Sequence, residues 1–292
     1  MTLADLVPPL LTYAELRRRG LSRRQIGRAL ADGRLLRVRK GRYLAAPADP
    51  KAVEAARAGG RLDCLTLLRG LGVFVHAHDD LHFVVPAGSS RLCPPPAGSV
   101  RHWRRPSETA RAILIEALAQ ACRCQSVPAA IATLDSAWHR GLIGEDDLDD
   151  VFELLPGRYR ALRPLLDRRC ESGPESLVRL MLRRLGCRFT PQAQIPGVGR
   201  VDFLVDGWLV IECDSREFHS DWVTQRADYT RNLAAARQGL VILRITAEDI
   251  LFRPDDVLLA LRGAISARGV IRRVQNSPSA RVRRTGALSL AR

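Results

Sequence analysis

The chain has 292 residues, 46% apolar and 26% charged, and its 46 Lys and Arg outnumber its 31 Asp and Glu for a net charge of +15. That balance is ordinary for a soluble globular protein, and the length suggests two or three domains. No run approaches the ~18 consecutive apolar residues of a membrane span.

Met1–Leu11 lacks the basic start and long apolar run of a secretory signal, so the chain reads as cytoplasmic. Seven cysteines (Cys64, Cys93, Cys122, Cys124, Cys170, Cys187 and Cys213) are scattered without a CxxC pair. Neither a disulfide framework nor a zinc knuckle is signalled. The charge is concentrated at the ends. Residues 1–48 hold 11 Lys and Arg against 3 acids, and residues 271–292 hold 6 Arg and no acid. Two basic segments flanking a near-neutral body fit a polyanionic partner, with duplex DNA the natural candidate. The plainer reading is arginine-rich coding, since only Lys40 and Lys51 are lysines.

Thr12-Tyr-Ala-Glu15 has capping-box form and starts a short helix that Gly20 can end. Ser22-Arg-Arg-Gln25 is a second capping box, and Gly33 closes its helix. Ile26, Ala29 and Leu30 form the inward stripe; Arg24 and Arg28 lie on the outer face beside Arg23. Leu35–Arg39, a Lys40-Gly41 turn and Arg42–Leu44 read as a hairpin carrying Arg37, Arg39, Lys40 and Arg42. Two helices joined by a tight turn, then a basic hairpin, spell a winged helix-turn-helix. Arg23, Arg24, Arg28, Arg37, Arg39 and Lys40 are its candidate DNA contacts. A merely solvated helical domain is the alternative.

Through Leu-Thr-x-x-Glu-Leu, Gly-Leu-Ser-Arg-Arg and Gly-Arg-Leu-Leu-Arg-Val-Arg-Lys-Gly-Arg-Tyr, the segment Leu11–Leu44 resembles the N-terminal domain of AbiE-type (type IV toxin–antitoxin) antitoxins. The resemblance implies DNA binding, autoregulation of an operon and a toxin or defence partner protein.

Residues 49–165 mix a strand at Leu81–Pro86, a Pro/Gly/Ser loop at Ala87–Ser99, and helices near Glu108–Ala121 and Val127–Trp138. Leu81–Pro86 and Thr133–Leu142 resemble the region after the winged helix in the same antitoxin-like proteins. The segment reads as a spacer or dimerisation domain, which would allow a homodimer. His76, His78, His82, Asp79 and Asp80 show no ligand spacing diagnostic of a metal. Asp135, Ser136 and His139 share one helix and cannot converge as a triad unaided.

From Glu171 the order is helix (opening at Ser172-Gly-Pro-Glu175), strands at Cys187–Ile195, Val201–Val205 and Trp208–Cys213, helix at Asp221–Arg237, and a buried strand at Leu240–Ile245. Asp202 sits mid-strand, where an unpaired carboxylate is costly. Glu212 lies in the adjoining strand, with Asp214 on the same face. Such carboxylates can hold Mg²⁺ (or Mn²⁺). Glu175 alone has the plainer role of a helix cap. If Asp206-Gly207 were a strict two-residue turn, Asp202 would face Ile211 and Glu212 would point away. The shared site therefore requires an odd-length loop or a bulge near Val205–Trp208.

The motifs Glu-Ser-Gly-Pro-Glu175-Ser-Leu, Gly199-Arg-Val-Asp202, Val210-Ile-Glu212-Cys-Asp214, His219, Asp228 with Arg231-Asn232, and Gly239 followed by Leu243-Arg244 resemble the Vsr-like branch of PD-(D/E)XK endonucleases. The resemblance implies Asp202 and Glu212 as metal ligands, Glu175 orienting water, His219 as acid or base, and Asp228 with Arg231 bracing the site. Asp214 stands where the wider superfamily has Lys, and Ser215 where this branch has Gly.

The expected architecture is thus a multidomain α+β and α/β chain. Residues 1–48 form a winged helix-turn-helix, 49–165 a mixed α/β middle domain, 166–270 a restriction-endonuclease-like fold, and 271–292 a basic disordered tail. The expected function is a Mg²⁺-dependent endodeoxyribonuclease targeted by its winged helix. The alternatives are a non-catalytic antitoxin or repressor with a degenerate nuclease fold, and a nuclease acting on RNA.

Overall fold

The computed structural model describes residues 1–76, 79–90, 92–214 and 222–275. The chain divides into two compact units, 1–173 and 174–292.

The first unit opens with α1 (Leu3–Leu6), β1 (Leu11–Thr12), α2 (Tyr13–Arg18), α3 (Arg23–Ala31) and the hairpin β2 (Leu35–Arg39)–β3 (Arg42–Ala45). Both capping boxes form. The Thr12 and Ser22 hydroxyls accept the backbone N–H of Glu15 and Gln25, whose side chains reach back to the cap N–H groups. Gly20, at φ 86°, makes the left-handed turn between the helices that an L side chain would resist. Leu11, Leu16, Ile26, Ala29, Leu35 and Tyr43 form the core beneath α3. β1 pairs with β3 and gives a three-stranded sheet in the order β1-β3-β2. The sequence pattern did not reveal β1, because two residues carry no periodicity.

The same unit continues through α4 (Pro50–Arg57), β4 (Arg61–Leu62), α5 (Cys64–Gly70), β5 (His82–Val85), β6 (Val100–Trp103), α6 (Ala110–Cys124), α7 (Val127–His139), α8 (Glu145–Glu153) and a 3-10 stretch at Gly157–Leu165. The wing is packed onto α4: Val38 and Leu44 share a core with Val53 and Ala56. A second sheet runs β4-β5-β6, with β5 and β6 parallel. Beside it lies a partly buried ion network in which Arg104 grips the buried Asp63 at 2.6 and 2.7 Å and Glu116 at 3.1 Å.

The second unit is built from α9 (Gly173–Arg184), β7 (Phe189–Ile195), β8 (Gly199–Val205), β9 (Leu209–Asp214), α10 (Trp222–Arg237), β10 (Val241–Thr246), α11 (Ala247–Phe252) and α12 (Pro254–Gln275). Its sheet is ordered β10-β9-β8-β7; β7, β8 and β9 are antiparallel neighbours, and β10 runs parallel to β9. The expected helix, three strands, helix and strand therefore occur in that order. α12 carries the chain past residue 271, where a disordered tail was expected to begin. The sequence holds no proline between Pro254 and Pro278, so none interrupts the helix at residue 271. Residues 276–292 lie outside the described residues.

Candidate functional site

The candidate residues fall on two surfaces, one in each unit. In the first, Arg23, Arg24 and Arg28 are exposed on α3, and Arg37 and Lys40 are exposed on the wing. Arg39 departs from this set. The strand register shifts between Arg37 and Arg39, so the two do not share the solvent face that simple alternation assigns them. Val38 turns into the core, and the Arg39 guanidinium lies half-buried against Gly59, where any added side chain would collide with it.

In the second unit the hairpin carrying the acids has the one-residue offset expected from the sequence. Asp206 and Gly207 have φ of 47° and 72°, and the Trp208 N–H donates to the Val205 carbonyl, which makes a tight turn of the primed type. Val205 nevertheless pairs with Leu209, leaving Trp208 as an extra residue. That one-residue offset sets Phe203 against Ile211 and, continuing the register, Asp202 against Glu212. Across β7, Gln192 falls opposite Asp202, between the Pro191–Phe203 and Ala193–Val201 pairs, and it has a left-handed φ of 49°. On the other side β10 places Arg244 beside Glu212. A row of Gln192, Asp202, Glu212 and Arg244 thus crosses all four strands.

Each member of the row is held. Gln192 Nε2 donates to Glu175 Oε2 at 2.8 Å, which draws the buried Glu175 of α9 to the end of the row. Asp202 Oδ2 accepts the Cys213 N–H at 2.7 Å. Glu212 Oε1 meets Arg231 Nη2 at 2.6 Å and Oε2 meets Arg244 Nε at 3.2 Å. Burial pushes the Glu212 carboxyl above its ordinary value. The two arginines oppose that shift, and the nearby charges of Asp214 and Asp202 add to it.

Asp228 and Arg231 each reach the row through a partner other than one another. Asp228 accepts from Arg244 at 3.2 Å, while Arg231 binds Glu212 and the carbonyls of Val198 and Arg200. Gln192 and Arg244 are site residues that sequence reasoning gave no role. Arg244 stood within a quoted motif; Gln192 had no signal, because its place follows from strand register alone. Asp214 is half-buried at the end of β9. His219 and Ser215 lie outside the described residues.

The other candidates are structural. Asp135 Oδ1 accepts the Asp167 N–H, Ser136 Oγ the Phe74 N–H, and His139 Nδ1 contacts the Arg168 carbonyl, so no triad assembles among them. Asp79 pairs with Arg69. His82 joins a buried group with Cys64, His102 and Cys124 that the sequence did not assemble.

Residues 1–46 match the family described as "Transcriptional regulator, AbiEi antitoxin". The match covers the segment whose motifs resemble AbiE-type antitoxins and includes none of the second unit. No curated protein matches the chain significantly. Among the described residues, no helix is long and apolar enough to cross a membrane.

Proposed function

We propose that the chain is a DNA-binding regulator whose second unit is a divalent-metal-dependent endodeoxyribonuclease acting in phage defence or DNA repair. DNA binding is supported by the antitoxin-type match over residues 1–46 and by the exposed cations on α3 and the wing. The same match supports a toxin or defence protein as partner.

The observation that carries the nuclease reading is the β8–β9 register, which ends at Phe203–Ile211 and, continued one step, opposes Asp202 to Glu212, with Glu175 drawn to the row through Gln192. The donor set fits Mg²⁺ or Mn²⁺, because carboxylate oxygens from neighbouring strands are the hard ligands these ions take. Asp202 and Glu212 would hold the ion, which polarises a phosphodiester and makes bound water more acidic. Glu175 orients the attacking water. Arg231 and Arg244 oppose the effect of burial on Glu212 and so favour its ionised form. Asp228 fixes Arg244, and His219 supplies acid or base.

Incubating the full chain with plasmid, single-stranded DNA and RNA in Mg²⁺, Mn²⁺ or EDTA tests this. Metal-dependent DNA cleavage that Asp202→Ala abolishes, with duplex binding intact, is the expected result. One observation favours a second reading: both carboxylate oxygens of Glu212 are already engaged by arginine. A non-catalytic repressor would bind duplex DNA and cleave nothing in any metal.

A further inference from the structure

We propose that Cys64, His82, His102 and Cys124 form a structural zinc site in the first unit. They come from four elements: the start of α5, β5, β6 and the end of α6. Each offers one ligand atom, and these atoms all lie within 4.8 Å of one another. His82 Nδ1 and His102 Nε2 are 3.2 Å apart. With Zn–N bonds of about 2.05 Å and a tetrahedral angle, two nitrogen ligands sit about 3.3 Å apart, so the observed spacing is that of a tetrahedron's edge.

The chemistry selects the metal. Two thiolates and two imidazoles in tetrahedral array suit zinc over the oxygen-seeking Mg²⁺ and Ca²⁺. Two thiolates also balance the charge of the ion, which a buried site requires. Cys64, His82 and His102 are buried and Cys124 half-buried, so four protein ligands leave no open position for a substrate. Gln120 Nε2 donates to Cys124 Sγ at 3.4 Å, the outer-shell support that thiolate ligands commonly have. Cys64 also holds a left-handed φ of 51°, an unfavourable conformation for a residue with a side chain, at the point where its thiol enters the cluster.

The fold gives the metal a task. β5 and β6 are parallel, yet no helix is found among the described residues of the connection 86–99. Parallel neighbours are ordinarily joined by a packed helical crossover. A zinc ion bridging α5, β5, β6 and α6 would supply the cross-link that this connection does not.

The test is the metal content and melting of the full chain, purified without a metal-affinity step. One zinc per chain after dialysis is expected, with melting lowered by a strong chelator and restored by zinc. Cobalt exchange should give the visible bands of a tetrahedral site and a thiolate charge-transfer band. Cys124→Ser and His102→Ala should lose the metal, while Cys93→Ser at an exposed thiol and Asp202→Ala in the acidic row keep it. Loss of zinc in Asp202→Ala would place the ion in the other unit and overturn the proposal. Metal-free protein indifferent to chelator and zinc, bound iron instead of zinc, or a Cys64–Cys124 disulfide in non-reducing peptide maps would overturn it too. If the ligand variants fail to fold, the zinc content and cobalt spectrum of the unaltered chain decide.

Discussion

Of the exposed cations on α3 and the wing, five are the candidate DNA contacts: Arg23, Arg24, Arg28, Arg37 and Lys40. If each neutralises one phosphate, the affinity for duplex DNA falls with the logarithm of salt at a slope of about −4.5, or about −0.9 per contact. Between about 50 and 200 mM salt that slope corresponds to about a 500-fold loss. Arg24→Gln with Arg28→Gln removes two contacts one helical turn apart, so the slope should shrink to about −2.7 and the loss to about 40-fold. Both side chains are exposed, and stability should change by less than about 0.5 kcal/mol each. Fluorescence anisotropy of a labelled duplex across a salt series reads the slope, with a melting curve as control. A folded double variant with an unaltered slope would refute the assignment of this face to DNA.

Arg104→Met strands the carboxylate of Asp63, which is 1% exposed, and should cost about 3 kcal/mol in urea denaturation, the low end for a buried pair because Arg104 retains some solvent contact. Thr12→Ala removes the hydroxyl cap of α2 and should destabilise by about 1 kcal/mol. The Thr12 backbone N–H and hydroxyl hold the Glu15 carboxyl below its ordinary value, so its stabilisation is full above the unfolded carboxylate value and disappears as pH falls through the folded one. Glu15→Gln should flatten that acid limb in a pH series of melting temperatures. Asp202→Ala should abolish metal-dependent cleavage and leave the salt slope of duplex binding unchanged, since it lies outside the winged helix.

The features legible in the sequence are those whose physics is local. A capping box joins residues three apart, so Thr12 with Glu15 and Ser22 with Gln25 could be read directly, as could the left-handed turn at Gly20. The hairpin of the second unit stood one step further out. Placing Asp202 and Glu212 on one face required an odd offset, and the extra Trp208 is that offset. Nothing local announced which groups would surround them. Arg244 reaches Glu212 through a parallel pairing formed only after α10 returns the chain, and Gln192 meets the row from the far strand. Likewise, Cys122 and Cys124 are two apart in the sequence, but residues so spaced on a helix point to different sides. Only Cys124 enters the group with Cys64, His82 and His102, whose elements are brought together by the packing of the first unit. Dihedral preferences and hydrogen bonds within a few residues were therefore determined by the sequence alone. The charge partners and the sulfur–nitrogen cluster depended on how distant segments pack, and only the tertiary structure decided them.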